Sequence, residues 1–179
     1  MKRKFLDALD ILLSIIIGLW IAVLIADMLL PMMLKLCNLY DVAIDVVRIV
    51  GYITIVLIVL YIRTQRTTCK ATLVYKISEF KPKDILITAG ISFVLHMIMC
   101  FVFKFAMYMS GAGYYFARSI FEINNPEVTI ITGYEVSTAL YAVCTMATHI
   151  IYFIAVFLSY KSGYDKAKNI LTEHEEQRK

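Results

Sequence analysis

Four apolar runs divide this chain, at roughly 10–34, 43–62, 85–108 and 136–160. About 20 helical residues cross about 30 Å of hydrocarbon, and each run is near or above that length. No water reaches backbone amides inside hydrocarbon, so each run must satisfy its own hydrogen bonds as a helix. The pattern predicts an all-α integral membrane protein, a four-helix bundle forming one domain over residues 1–179. A hydrophobic fraction of 60% excludes an ordinary soluble domain. The connections of about 8, 22 and 27 residues leave no room for a second globular unit.

The net charge of +4 hides a partition. Lys2, Arg3 and Lys4 precede the first run, Arg63, Arg66, Lys70, Lys76, Lys81 and Lys83 lie between the second and third, and Lys161, Lys166, Lys168, Arg178 and Lys179 follow the fourth. The first connection carries only Lys35 and the third only Arg118. Basic residues beside spans mark the cytoplasmic face, so both termini and the middle loop are expected there, in the plasma membrane. Because these charges hug span ends they suit lipid headgroups, and nucleic acid is not expected as a partner.

The first run follows MKRK as a signal peptide would. It is longer than an h-region and no small-x-small site follows, so a retained span is expected. Leu36 before Cys37 argues against lipoprotein processing. The four cysteines include no CxxC pair, and free thiols are expected, with Cys37 external, Cys69 cytoplasmic and Cys100 and Cys144 within the membrane.

Several stretches carry finer expectations. Ser14, Gly18, Ala22 and Ala26 repeat every fourth residue, a small face that lets another helix approach closely, inside the bundle or between copies. Trp20 lies near mid-span and is expected to pack between helices, and Pro31 and Lys35 to mark where the helix leaves the membrane. The second helix, rich in Val, Ile and Leu, reads as a lipid-facing or general packing helix. In the middle loop, Leu73, Ile77 and Phe80 have helical spacing, which suggests an amphipathic segment on the inner leaflet or against a partner. The outer loop carries Tyr114, Tyr115, Phe116, Ile120 and Phe121, expected as a short interfacial helix with aromatics among headgroups.

The third run places Thr88, Ser92, His96, Cys100 and Lys104 four residues apart. The fourth places Ser137, Tyr141, Thr145 and His149 in the same pattern, with Cys144 and Thr148 beside them. Such positions share a helix face, and polar faces inside a membrane must meet protein or water. Both histidines lie about 16 Å from the cytoplasmic boundary, at one depth near the bilayer centre. Three readings follow: a hydrogen-bonded seam, a polar pathway, or ligation of haem or zinc. Cys144 and His149 are five residues apart and diverge by about 140°, which opposes a compact zinc site. A charged layer nearer the outside comprises Asp27, Arg48 and Lys104, expected to pair across helices or to face an outward pocket.

No HExxH, GxSxG, acidic metal motif or nucleotide loop is present, so catalysis is not expected and no cofactor is assigned. The sequence reads as a small non-enzymatic membrane protein that works by assembly, as a homo-oligomer or an accessory subunit of a larger complex in the bilayer. A channel or transporter built on the polar stripes is the alternative, and a haem-binding subunit the second.

Overall fold

The computed structural model describes residues 2–36, 40–75, 77, 80–102, 111–124 and 137–176. Among these residues all regular structure is helical and no strand occurs. The elements are α1 (Lys2–Ala22), a π-helical turn (Val23–Leu29), α2 (Leu30–Leu36), α3 (Tyr40–Tyr75), α4 (Pro82–Val102), α5 (Ala112–Asn124) and α6 (Thr138–Glu176). Four stretches are long and apolar enough to cross a membrane: Lys4–Leu36, Val46–Tyr75, Pro82–Val102 and Thr138–Glu173.

Local chemistry explains the boundaries. Pro31 cannot donate, and its ring crowds the carbonyl four residues earlier, that of Asp27. The preceding turn widens to π geometry, with the Leu30 N–H donating to the Ile25 carbonyl. The helix thereby continues to Leu36 with Pro31 buried. Pro82 opens α4, where a missing N–H costs nothing, and Asp84 stands in the first turn, where the helix dipole favours a carboxylate. The Ser137 hydroxyl accepts the Leu140 N–H at 3.2 Å and caps α6, so it belongs to the helix start and not to a buried stripe.

Each long helix packs against two others: α1 against α3 and α4, and α6 against α3 and α4. The short α5 lies against α3 and α6. The small-residue face of the first span is consumed within the chain. A Cβ on Gly18 would stand 3.0 Å from the Val56 Cα, and one on Gly51 would stand 3.2 Å from the Ala26 Cβ. Ser14, Ala22 and Ala26 are all fully buried.

Several expectations sharpen or change. The second span serves as a packing helix on one face, where Tyr52, Val56 and Leu60 have no exposed surface and α3 meets α1, α5 and α6, while most of the span is not buried. Helix α3 does not stop at the membrane boundary. No Gly or Pro interrupts 61–75, and the helix runs straight through the start of the expected surface segment to Tyr75. Phe80 then folds back, its ring 6.0 Å from Phe157 and 5.7 Å from Tyr164. Trp20 is 66% exposed and faces outward, because the buried stripe of α1 is made of its smaller neighbours.

The outer-loop aromatics also divide. Tyr114 and Tyr115 are buried, while Phe116 is exposed. Gly111, with φ of +48°, abuts Leu19 and Tyr52, and a Cβ on Gly113 would stand 2.9 Å from the Thr145 Cα. These neighbours lie inside the apolar runs 10–34, 43–62 and 136–160, away from the ends of each run. Helix α5 therefore begins deep among the spans instead of lying along the headgroups. Two glycines make that possible, since only a residue without Cβ fits so close to another backbone.

Candidate functional site

Three polar places lie inside the fold. In the middle, the stripes of α4 and α6 meet. His96, Cys100, Tyr141, Thr145 and His149 are buried, as are Thr88 and Ser92 nearer the basic end. His96 Nδ1 lies 2.7 Å from His149 Nε2, and His149 Nδ1 lies 2.6 Å from the Thr145 carbonyl. A carbonyl only accepts, so His149 carries its proton on Nδ1 and presents Nε2 as an acceptor. His96 then donates from Nδ1, and its Nε2 faces the Cys100 thiol at 3.8 Å. The Tyr141 hydroxyl donates to the Cys100 carbonyl at 3.3 Å. With one proton on each ring the contacts form a self-consistent series that ends on a backbone carbonyl. The rings of Phe93 and Tyr152 flank His149.

This arrangement does not suit ligation. Two nitrogens bound to one metal at about 2 Å each stand about 3.3 Å or more apart. These two touch directly, so no iron or zinc fits between them. Among the described residues, no group of three His, Cys, Asp or Glu side chains has metal-binding geometry.

Toward the far end, Asp27 gathers partners from two elements, α3 and α5. Its Oδ1 accepts the Tyr115 hydroxyl at 2.8 Å and stands 3.3 Å from Arg48 Nε. Its Oδ2 accepts the Tyr52 hydroxyl in a short contact. The Arg48 guanidinium lies 5.5 Å from the Tyr115 ring centroid. The widened turn enforced by Pro31 is where Asp27 sits, so the irregularity and the acid coincide. Asp27 and Arg48 thus meet as expected from their depth, whereas Lys104 lies outside the described residues. Tyr52 and Tyr115 were not evident in the sequence as partners. Their only sign there was a tyrosine hydroxyl at membrane depth, which needs an acceptor.

The third place was missed altogether. At the basic end, α1, α3, α4 and α6 surround a cavity of about 530 Å³. Lys4, Asp7, Asp10, Lys81 and Asp84 are the charged residues of its wall. Lys4 Nζ meets Asp84 Oδ1 at 2.6 Å, and Arg63 Nη2 meets Asp10 Oδ1 at 3.2 Å. The Thr67 hydroxyl donates to Asp10 Oδ2 at 3.1 Å, and Arg63 Nε donates to the Ser14 hydroxyl at 3.0 Å. Its inner wall carries Thr64, Thr68 and Thr72, four residues apart and hence on one face of α3. Thr64 is 3% exposed and Thr72 1%. None of the three hydroxyls finds a hydrogen-bond partner among the described residues. Leaving such a group buried and unpaired costs about 1–3 kcal/mol. Phe80, Tyr160 and Tyr164 supply aromatic wall. A three-threonine period in α3 was the sequence signal for this face, hidden inside a stretch read as loop.

No protein-family model, curated protein or solved structure matches this chain.

Proposed function

We propose that this is a multi-pass membrane protein, folded as a four-helix bundle with both termini on the cytoplasmic side, which acts without catalysis by taking up a small solute in the cavity at its basic end. The observation that carries this reading is a cavity of about 530 Å³ whose wall brings together polar side chains from several helices, Asp10, Thr67 and Asp84 among them. A cavity of a few hundred Å³ with converging polar groups is the usual form of a small-ligand site. The basic clusters around it favour the cytoplasm as its open side, in the plasma membrane of the cell. A path through the membrane along the polar stripes has less support, because His96 and His149 bond each other and the series ends on a carbonyl.

Single-cysteine variants in a background without native cysteines test it. Thr68→Cys should react with a membrane-impermeant maleimide in inverted vesicles and not in intact cells, with Lys81→Cys as an exposed marker for the same side. An unreactive Thr68→Cys beside a reactive Lys81→Cys would remove the open cavity. Reaction of Lys81→Cys in intact cells would reverse the topology.

Self-assembly is the second reading. The small-residue face is already buried against α3, but an almost wholly apolar groove of about 540 Å³ runs between α4 and α6, lined by Phe93, Met97, Phe101, Ile150 and Phe153. A second copy seated there would give a defined dimer in detergent by light scattering, and Met97→Trp would split it.

A further inference from the structure

Helices α3 and α6 continue side by side past their apolar runs, to Tyr75 and Glu176. Their register there is fixed. Gly163 lets α6 close on the α3 backbone at Gln65, and the Gln65 amide donates to the Ser162 hydroxyl at 2.8 Å. Beside this contact lies a groove of about 300 Å³. Arg66 and Lys70 line it from α3, four residues apart and so on one face, and Lys166 lines it from α6. All three are exposed. Among the described residues no acid lines this groove.

These cations differ from others at the same end. Lys4 and Arg63 each hold an aspartate. Arg66, Lys70 and Lys166 have no ion pair or side-chain hydrogen bond among the described residues. Lys166 also borders a neighbouring hollow with Asp165 and Glu173, yet pairs with neither. Like charges held together repel, and an anion bound among them relieves that. Guanidinium and ammonium groups both bind phosphate well.

Depth and the face of α3 select the source of the phosphate. Arg66 and Lys70 stand four and eight residues past the run 43–62, and Lys166 six past the run 136–160. That is about 6, 12 and 9 Å along their helices. The headgroup layer is about 5–8 Å deep, and flexible Lys and Arg side chains reach back toward it. The same face of α3 is apolar one and two steps earlier, at Ile62 and Ile58, both exposed. An exposed face that turns from apolar to basic at the membrane boundary matches a lipid, chains first and headgroup after.

We propose that this groove holds the headgroup phosphate of an anionic phospholipid, with Arg66, Lys70 and Lys166 around the phosphate and the acyl chains along Ile58 and Ile62. A zwitterionic lipid fits less well, because no acid among the described lining meets its ammonium. The site rests on the reading that the spans lie in a bilayer, and does not depend on the solute cavity.

Native mass spectrometry of the purified full chain in detergent tests this, with dioleoylphosphatidylglycerol as the anionic probe and dioleoylphosphatidylcholine as the zwitterionic one. The first phosphatidylglycerol should bind about tenfold or more tightly than phosphatidylcholine. Arg66→Gln with Lys70→Gln and Lys166→Gln should abolish that preference. Lys83→Gln with Lys161→Gln and Lys168→Gln removes the same charge from the same end, outside the groove, and should keep it. Cys69 lines the groove as a free thiol. In the parent chain, phosphatidylglycerol should slow its reaction with N-ethylmaleimide, read by peptide mass, and leave a Lys83→Cys thiol unslowed in a chain otherwise without cysteines.

Equal binding of the two lipids, equal loss from the two triple variants, or equal slowing of both thiols would overturn the proposal. Binding of inorganic phosphate as tight as that of phosphatidylglycerol would replace the lipid by a soluble anion. An unreactive Thr68→Cys removes the solute cavity and leaves this site standing. A chain that stays in solution without detergent would remove the bilayer and this site together.

Discussion

The middle of the molecule and its basic end solve the same problem in opposite ways. Both hold polar side chains on helix faces turned away from lipid. In the middle, His96, His149 and the Thr145 carbonyl are matched donor to acceptor at 2.7 and 2.6 Å. At the basic end, Thr64 and Thr72 are buried as deeply and meet no protein partner among the described residues. A satisfied buried network rigidifies the fold, whereas an unsatisfied one is held at a cost. The contrast sets a closed donor–acceptor series in the middle against hydroxyls held without a protein partner among the described residues at the basic end.

Three changes would break or sharpen that contrast. The largest effect is expected from His149→Ala, which leaves the His96 donor unpaired and opens a cavity. A loss of about 3–5 kcal/mol of unfolding free energy is expected, read by thermal or denaturant unfolding in detergent. Replacing both rings, His96→Leu with His149→Leu, should cost at least about 1 kcal/mol less than the two single changes summed, because neither leaves an orphan. Strict additivity would mean that the rings do not act as a pair.

A middling effect is expected at Gly163, where α3 and α6 touch beyond the apolar runs 43–62 and 136–160. A Cβ there would stand 2.6 Å from the Gln65 carbonyl and 2.9 Å from the Thr68 Cβ. Gly163→Ala should therefore cost about 1–3 kcal/mol and loosen the inner wall of the cavity. An unchanged melting temperature would show that the helices part freely at this end, and the threonine ladder would lose its fixed spacing. The smallest effect belongs to Thr72→Val. It removes a hydroxyl with no protein partner and keeps the shape, so ligand-free stability should change by less than about 0.5 kcal/mol. A large loss would reveal a structural role and place the threonines with the histidines.

The far end stands between these two cases. Asp27 is paired with Arg48 and also accepts from Tyr52 and Tyr115. Its position inside a π-helical turn follows from Pro31, four residues on. The sequence offered Pro31 only as a mark of the membrane exit, and not this consequence. A sequence shows that a helix must adjust, while the choice between ending and widening depends on what packs around it. Here Pro31 is buried and the helix runs on.

The apolar runs by themselves determined that the chain is helical with four stretches able to cross a membrane, because run length and hydropathy are local properties of the chain. Four-residue periodicity determined which polar residues share a face, and equal depth determined that His96 and His149 could meet. Only the tertiary structure decided which faces pair. The small residues of α1 went to α3, and Trp20 went outward. Helix α5 entered between α3 and α6 on its two glycines, which no local pattern distinguishes from loop glycines. The basic-end cavity is likewise a product of assembly. Its wall is built from residues of α1, α3, α4 and α6, far apart in the chain, which no single sequence window brings together.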